Sequence, residues 1–393
     1  MFIDLNSCFA SIEQQANPLL RGRPIAVAAY DSPRGCILAP SVEAKKLGIK
    51  VGMRVADGQL ICPGLLVLTP DPHKYRAVHR QLRAILGQYT TQFVAKSVDE
   101  FVLNLEGFPA FRRGLFTVGQ EIKSRIRSEI GDWLTVSIGL APNRFLAKTA
   151  SNLKKPDGLE EINISNFKQI YARLSLTDLT GIDKNLAARL NLVGIHTVLD
   201  FFGSSLSRLK SAFRSVCGYY WYLRLRGWEI DDVEFGRKSF GHMYSLPRPL
   251  VTKAELSPIL AKLVEKTCYR LRQKGYHTRG LHLAVLYRDH SFWHQGMATQ
   301  ATLFSSADIY KLALRILSRS PYLKPVANLS VSCFNLVKSQ SVQFDLFDTV
   351  APKLRLTQAL DNINTIYGNF VITPAVMLGT GDQVLDRIGF GNI

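Results

Sequence analysis

Two short apolar runs that carry carboxylates constrain this chain more than any other feature. "MFIDL", residues 1–5, holds one charge, Asp4, and "KSVDEFVLNL", residues 96–105, holds two neighbours, Asp99 and Glu100. An ionised carboxylate is costly to bury unless a cation or a set of hydrogen bonds compensates it. Alternate residues of a strand face opposite ways, so Asp99 would share a face with Phe101 and Leu103, and Glu100 with Val98 and Val102. Taken alone, the Asp99-Glu100 pair is satisfied by a solvated strand mouth. If the two runs are neighbours in one sheet, three carboxylates meet, and like charges that close call for cations. Magnesium suits oxygen ligands, and two such ions about 4 Å apart stabilise the attacking and leaving oxygens of a phosphoryl displacement. For both neighbours to serve one site, a bend at the strand edge or the longer reach of Glu100 is needed.

Around these runs, strand and helix patterns alternate without a regular βαβ beat, which predicts an α+β fold. "MFIDL" turns at once into the helical spacing of "SCFASIEQQANP". "RPIAVAA" and "LLVLTP" read as strands, and "SVEAKKLGI" as a short helix closed by Gly48. "YRAVHRQLRAIL", "LFTVGQEIKSRIRSEIG" and "NRFLAKTASNLKKP" read as helices, and "LTVSIGLA" as a strand. Residues 165–231 read as helical throughout. "WEIDDVEFGRKSFGHMYSLPRP" follows, rich in charge, Gly and Pro, and is the natural linker. Beyond it, an amphipathic helix ("LSPILAKLVEKTCYRLRQKG"), strands at 281–289 and 298–304, a second helix and the strand "NLSVSCFNLV" compose a second small α+β unit. A chain of 393 residues is expected to form several domains.

Lys and Arg number 49 against 31 Asp and Glu, a net charge of +18. An acidic polymer is therefore the first partner to consider, beside the plain alternative of a soluble basic protein. Residues 241–340 alone hold fourteen basic and four acidic side chains. The six cysteines, at 8, 36, 62, 217, 268 and 333, make no C-x-x-C pair and no zinc-like spacing, so a reducing cytoplasm is expected. No run is long and apolar enough to cross a bilayer, and the first residues lack a signal-type pattern.

Five stretches, in order, resemble the Y-family, or lesion-bypass, DNA polymerases of bacterial type. "IDLNSCFASIEQ" resembles the family's first motif and "SVDEFVLNL" its Ser-Ile/Val-Asp-Glu motif. "SIGLAPNRFLAKTASNLKKPDGL" is similar to its Lys-Pro-Asp-Gly stretch, "LTGIDKNLAARLNLVGIHT" to its helix-hairpin-helix thumb, and "KSFGHMYSLP" to its link into the little-finger domain. The resemblance spans residues 2–367. It implies a multidomain right-hand polymerase, with palm at 1–16 and 72–164, fingers at 17–71 and thumb at 165–231. A linker at 232–240, a little finger at 241–340 and a tail at 341–393 complete it.

By that resemblance Asp4, Asp99 and Glu100 hold two Mg²⁺ ions, with the backbone carbonyl of Leu5 as a further ligand. Phe9 falls where the family packs an aromatic ring under the sugar to exclude a 2′-hydroxyl; otherwise it is a core aromatic of the first helix. Lys155 and Lys45 fall where the family contacts the triphosphate. Gly35, Cys36 and Ala39 fall on the finger surface above the nascent base pair, where small residues would leave room for distorted template bases. Asn6, Ser7 and Val42 depart from the common pattern of an acid and two tyrosines, and "RGCILAPSVEAKKLG" looks closer to the UmuC-like branch. Asp183 stands where the thumb turn usually has Gly, which bears on its phosphate-binding geometry.

In "VQFDLFDTV", Gln343, Leu346 and Phe347 resemble the Q-x-x-L-F peptide that docks bacterial polymerases on the sliding clamp, unless the stretch is a core strand. Primer-template DNA and deoxynucleoside triphosphates are the other implied partners, with an accessory subunit allowed by the UmuC-like features. The expected activity is error-prone translesion synthesis without proofreading, in the cytoplasm. A non-catalytic accessory that binds DNA and the clamp, or a metal-dependent nuclease using the same acids, are the competing readings.

Overall fold

The computed structural model describes residues 1–233, 236–341, 350–368 and 370–385. The chain divides after Val233 into two compact units. In the first, strands β1 (Phe2–Leu5), β2 (Ile25–Ala28), β3 (Ile37–Pro40), β4 (Leu66–Leu68), β5 (Phe93–Ala95), β6 (Glu100–Leu103), β7 (Val136–Leu140) and β8 (Leu159–Glu161) build two sheets. The larger runs β5-β6-β1-β7-β8, with β1 antiparallel to both β6 and β7. All four residues of β1 are buried, as its central position requires.

Period-two alternation divides β1 between two faces. Ile3 and Leu5 enter a core with Phe9, Tyr75, Leu82 and Ile122. That core is closed by helices α1 (Cys8–Ala16), α4 (Pro72–Leu86) and α6 (Leu115–Arg125), while α2 (Val42–Lys46), α3 (Val55–Ile61) and α5 (Pro109–Arg112) lie between them in sequence. Buried Glu13 ties α1 to α4, accepting from Tyr75 Oη at 2.9 Å and from Lys74 Nζ at 2.8 Å. On the other face, Phe2 and Val102 pack on Ala147 of α7 (Arg144–Leu153).

The smaller sheet, β3-β2-β4, packs Ala26, Ala28 and Ile37 against Ala44, Ile49 and Val55. Strand β3 and helix α3 escape a reading by periodicity, because each is short and β3 ends on Pro40. Helices α8 (Phe167–Arg173), α9 (Lys184–Leu192), α10 (Val198–Gly203), α11 (Leu206–Phe213) and α12 (Cys217–Arg224) come next, around a core they share with Phe145, Leu146 and Ala150 of α7. The Asp183 carboxylate caps α9, accepting from Leu186 N at 2.8 Å, and the left-handed conformation falls on Gly181, with φ of 99°. The position therefore calls for a capping side chain, and glycine's freedom is used two residues earlier.

The second unit is an antiparallel sheet of β9 (Ser239–Leu250), β10 (Tyr276–Tyr287), β11 (Phe292–Leu303) and β12 (Val326–Lys338) in the order β11-β10-β12-β9. Helices α13 (Lys253–Gln273) and α14 (Ser306–Ser318) cover the face that buries Leu281, Leu283 and Val285. Much of the stretch read as linker is thus strand. Pro247 and Pro249 are tolerated in β9 because it lies at the sheet edge. Strand β11 begins six residues before its expected start at 298, since an edge strand with one solvated face offers little apolar alternation to read.

The chain beyond β12 belongs to this unit as well. Helix α15 (Val350–Tyr367) is held by Asp361, which grips Arg272 of α13 through two bonds of 2.7 Å. Arg272 also donates to Phe304 O and Ser306 Oγ. Further on, buried Lys262 and Lys266 of α13 donate to the backbone carbonyls of Thr380, Gly381 and Val384. Asp361→Ala would leave the Arg272 guanidinium buried and partly unpaired. We expect it to cost the second unit about 3–5 kcal/mol in urea unfolding; a loss below about 1 kcal/mol would mark the pair as a weak, surface-like contact.

Candidate active site

The register of β1 against β6 sets Asp4 directly opposite Glu100. Directly paired residues project to one side of a sheet, so the two carboxylates meet on the face covered by α7. Each carries an ammonium from that helix or its exit. Lys148 Nζ lies 2.8 and 2.9 Å from the two Glu100 oxygens, and Lys155 Nζ lies 2.6 Å from Asp4 Oδ2.

Asp99 stands just before β6, in the turn of residues 96–99 that joins β5 to β6. It has left the pleat, and its carboxylate accepts from Ser97 Oγ at 2.5 Å while its carbonyl accepts from Leu5 N at 2.9 Å. Burial raises the pKa of Asp4, against the pull of Lys155, and the negative charge of Glu100 adds to the rise. Burial likewise raises Asp99, opposed by the Ser97 hydroxyl and reinforced by Asp4 and Glu100. A carboxyl whose folded pKa is raised loses stability as pH climbs through that range, so keeping both acids ionised at neutral pH costs the fold something that a bound cation would return.

Lys45 approaches from α2. Solvent reaches its side chain, yet surrounding protein and the Lys155 ammonium lower its pKa, while Asp4 and Asp99 pull it upward. Leu5, the last residue of β1, points its side chain into the core. Phe9 is fully buried and stacks on Tyr75 with ring centroids 4.3 Å apart, so it stands as a core aromatic beneath the site. Ala39 is buried in the core too, and so is Gly35, where an added Cβ would collide with Tyr30 O; Cys36 is the exposed small residue of this segment. Gln343, Leu346 and Phe347 lie outside the described residues.

Asn6 explains its own departure from an acid. Its amide donates to Ser137 Oγ at 2.9 Å and accepts from Thr135 Oγ1 at 3.1 Å and from Asp157 N at 2.8 Å. The last bond fixes the loop that presents Lys155. Beside it, Ser7 has a left-handed φ of 49° at the start of α1, and its buried Oγ has no partner among the described residues. A free hydroxyl at a helix N-terminus suits an anionic ligand.

Oxygen donors alone make up the acid set, which fits a hard divalent cation such as magnesium. Among the described residues, however, no three His, Cys, Asp or Glu side chains gather as a ready metal cage. Lys148 and Lys155 act as the cations for Glu100 and Asp4 in this state. Glu100 and Lys148 also line a cleft of about 430 Å³, with Lys96, Arg144, Arg224 and Gly181 on its walls. Sequence reasoning missed Lys148 and the bonds of Asn6. The one signal for Lys148 was a cation amid the apolar run "RFLAKTA".

Residues 3–152 match the impB/mucB/samB family and residues 237–346 match the C-terminal domain of that family. The chain is 34% identical over 394 residues to the DNA polymerase IV of Moorella thermoacetica, covering 98% of this chain and 97% of that one. It is 30% identical over 395 residues to the DNA polymerase IV of Pelotomaculum thermopropionicum, covering 99% and 98%. Among solved structures, a Y-family DNA polymerase chimera of Dbh and Dpo4 is similar with a TM-score of 0.74 at 24% identity, over 86% of this chain and 98% of that one. An insertion ternary complex of Dbh DNA polymerase gives 0.58 at 23% identity over the same shares. These structural likenesses concern the fold.

Replacing Asn6 by Ala strips partners from Ser137, Thr135 and the Asp157 amide. The expected cost is about 1–3 kcal/mol of unfolding free energy, read from the shift in the urea midpoint. An unmoved midpoint would mean that water replaces these bonds without loss.

Proposed function

The chain belongs to the impB/mucB/samB family of Y-family DNA polymerases, and from that premise we propose error-prone translesion synthesis by two-metal transfer to a primer 3′-hydroxyl, without proofreading. It is a DNA-directed DNA polymerase. The observation that carries the proposed mechanism is the pairing of Asp4 with Glu100 across β1 and β6, with Asp99 on the adjoining turn.

Asp4, Asp99, Glu100 and the Leu5 carbonyl would hold two magnesium ions. Such ions, when bound, supply activation of the 3′-hydroxyl and neutralisation of charge on the triphosphate. The chain's own residues do the rest. Lys155 and Lys45 would turn to the triphosphate and offset the negative charge that builds on the leaving pyrophosphate. Ser7 Oγ and the first N–H groups of α1 would donate to phosphate oxygens. Phe9, braced from behind by Tyr75, would form the floor beneath the sugar and exclude a 2′-hydroxyl. Exposed Cys36, beside the buried Gly35, would leave space over a distorted template base.

The basic second unit would grip the duplex through phosphates, without reading sequence and with strong salt dependence. Gln343, Leu346 and Phe347 would dock the enzyme on a sliding clamp in the cytoplasm, and an accessory subunit is a further partner of this reading.

Primer extension on an undamaged template and on one with an abasic site, with Mg²⁺ and deoxynucleotides, tests the mechanism. Wild type is expected to extend both. Even the supporting partners of metal ligands are worth about 10–100-fold, so Asp99→Ala is expected to lose at least about 100-fold in extension while keeping its affinity for DNA. Loss of binding as well would make Asp99 a structural acid. If both proteins bind the primer and neither extends it, the accessory reading takes over; a primer that shortens would point to a nuclease.

Phe9→Leu keeps much of the apolar volume and is expected to weaken discrimination against ribonucleotides by about tenfold or more, within the range that pocket contacts of this size supply. Unchanged sugar discrimination in a folded variant would confine Phe9 to the core.

A further inference from the structure

Lys148 makes a contact that the mechanism above does not use. It takes both oxygens of Glu100, at 2.8 and 2.9 Å, and its ammonium lies over the Phe2 ring at 5.2 Å from the centroid. A carboxylate held at both oxygens has little left for a metal ion. The pair is not sealed, since the side chains of Lys148 and Glu100 are 28% and 22% exposed and both line the 430 Å³ cleft. Lys96, Arg144 and Arg224 share that lining with Asp231; Arg224 is gripped by the Asp231 carboxylate and Arg144 by Asp232 and Glu229, so Lys96 is the further cation presented to the space. Gly181, at the turn before α9, closes its other side. An anionic chain end entering beside Glu100 would meet two lysine ammoniums, Lys148 and Lys96. Of the two, Lys148 is the one joined to Glu100.

We propose that Lys148 is a placeholder cation for Glu100: in the DNA-free enzyme it keeps divalent metal off that carboxylate, and a primer-terminus phosphate entering the cleft draws the ammonium away and opens the site to metal. The inference rests on Glu100 being a metal ligand. A compact ammonium on a flexible four-carbon stem can make such an exchange, because it can swing between two acceptors while its helix stays fixed. Lys148 thus acts as a positioning residue, and metal loading follows primer binding. Linkage makes the effect reciprocal: metal must tighten primer binding by the factor by which primer tightens metal binding, and couplings of this kind are typically about 5–150-fold.

The test measures Mn²⁺ binding to the full chain by electron paramagnetic resonance. It is run with and without a dideoxy-terminated primer-template and without nucleotide, and binding to DNA alone is subtracted. Wild type should bind Mn²⁺ weakly alone and at least about fivefold more tightly with DNA. Lys148→Met should bind Mn²⁺ in the DNA-free state about as tightly as wild type does with DNA, and should gain little from adding it. Lys148→Arg, which keeps a cation on Glu100, should restore weak DNA-free binding. Glu100→Gln should remove the site in either state; if it leaves Mn²⁺ binding untouched, the metal reading itself fails. If Glu100→Gln removes the site while Lys148→Met matches wild type without DNA, the placeholder inference is overturned. Should Lys148→Met fail to fold by circular dichroism, Lys148→Gln carries the same expectations.

Discussion

The first unit depends on one electrostatic constraint. A central strand that is buried along its whole length carries Asp4, and its register places a second acid, Glu100, opposite. Two carboxylates facing each other in the middle of a sheet are untenable without positive charge. α7 and its exit deliver that charge as Lys148 and Lys155, in a stretch where Phe145, Leu146, Ala147 and Ala150 are buried. The loop bearing Lys155 is anchored in turn by Asn6, two residues from Asp4. The acids, their counter-charges and the brace for the loop thus come from three short segments, 1–7, 96–100 and 144–158. This economy accounts for the departure at residue 6, where an acid could not donate to Ser137 as the amide does.

On the proposed mechanism, the same arrangement would reconcile a fold that needs its acids neutralised at all times with a catalyst that needs them free. Lysine can be outcompeted in such a place. Each ammonium now rests on a carboxylate, and on the proposed mechanism it would turn to phosphate once substrate arrives. Arginine, with its rigid bidentate fork, would hold a carboxylate too firmly to serve both.

Much of this was legible in the sequence. The apolar runs with embedded acids foretold strands and a need for cations, and the α+β character followed from the irregular order of elements. The neighbour problem at Asp99 and Glu100 was also visible, and the turn at 96–99 is its solution. What stayed hidden depends on contacts distant in sequence. The partners of Asn6 lie about 130 and 150 residues away. The burial of Phe9 against Tyr75 depends on how α4 crosses α1. Edge strands β9 and β11 carry weak alternation because one side of each is wet, and a pair of prolines disguised the former as linker.

The lysines of α13 carry one more consequence. Lys262 and Lys266 end on main-chain carbonyls more than 110 residues later in sequence, and burial lowers the pKa of Lys262. Carbonyl acceptors are indifferent to side-chain identity, so what Lys262 and Lys266 require of residues 380–384 is the path of the main chain. A premature stop before this stretch would remove the carbonyls that two buried ammonium groups rest on, whereas a point substitution there would leave those carbonyls in place.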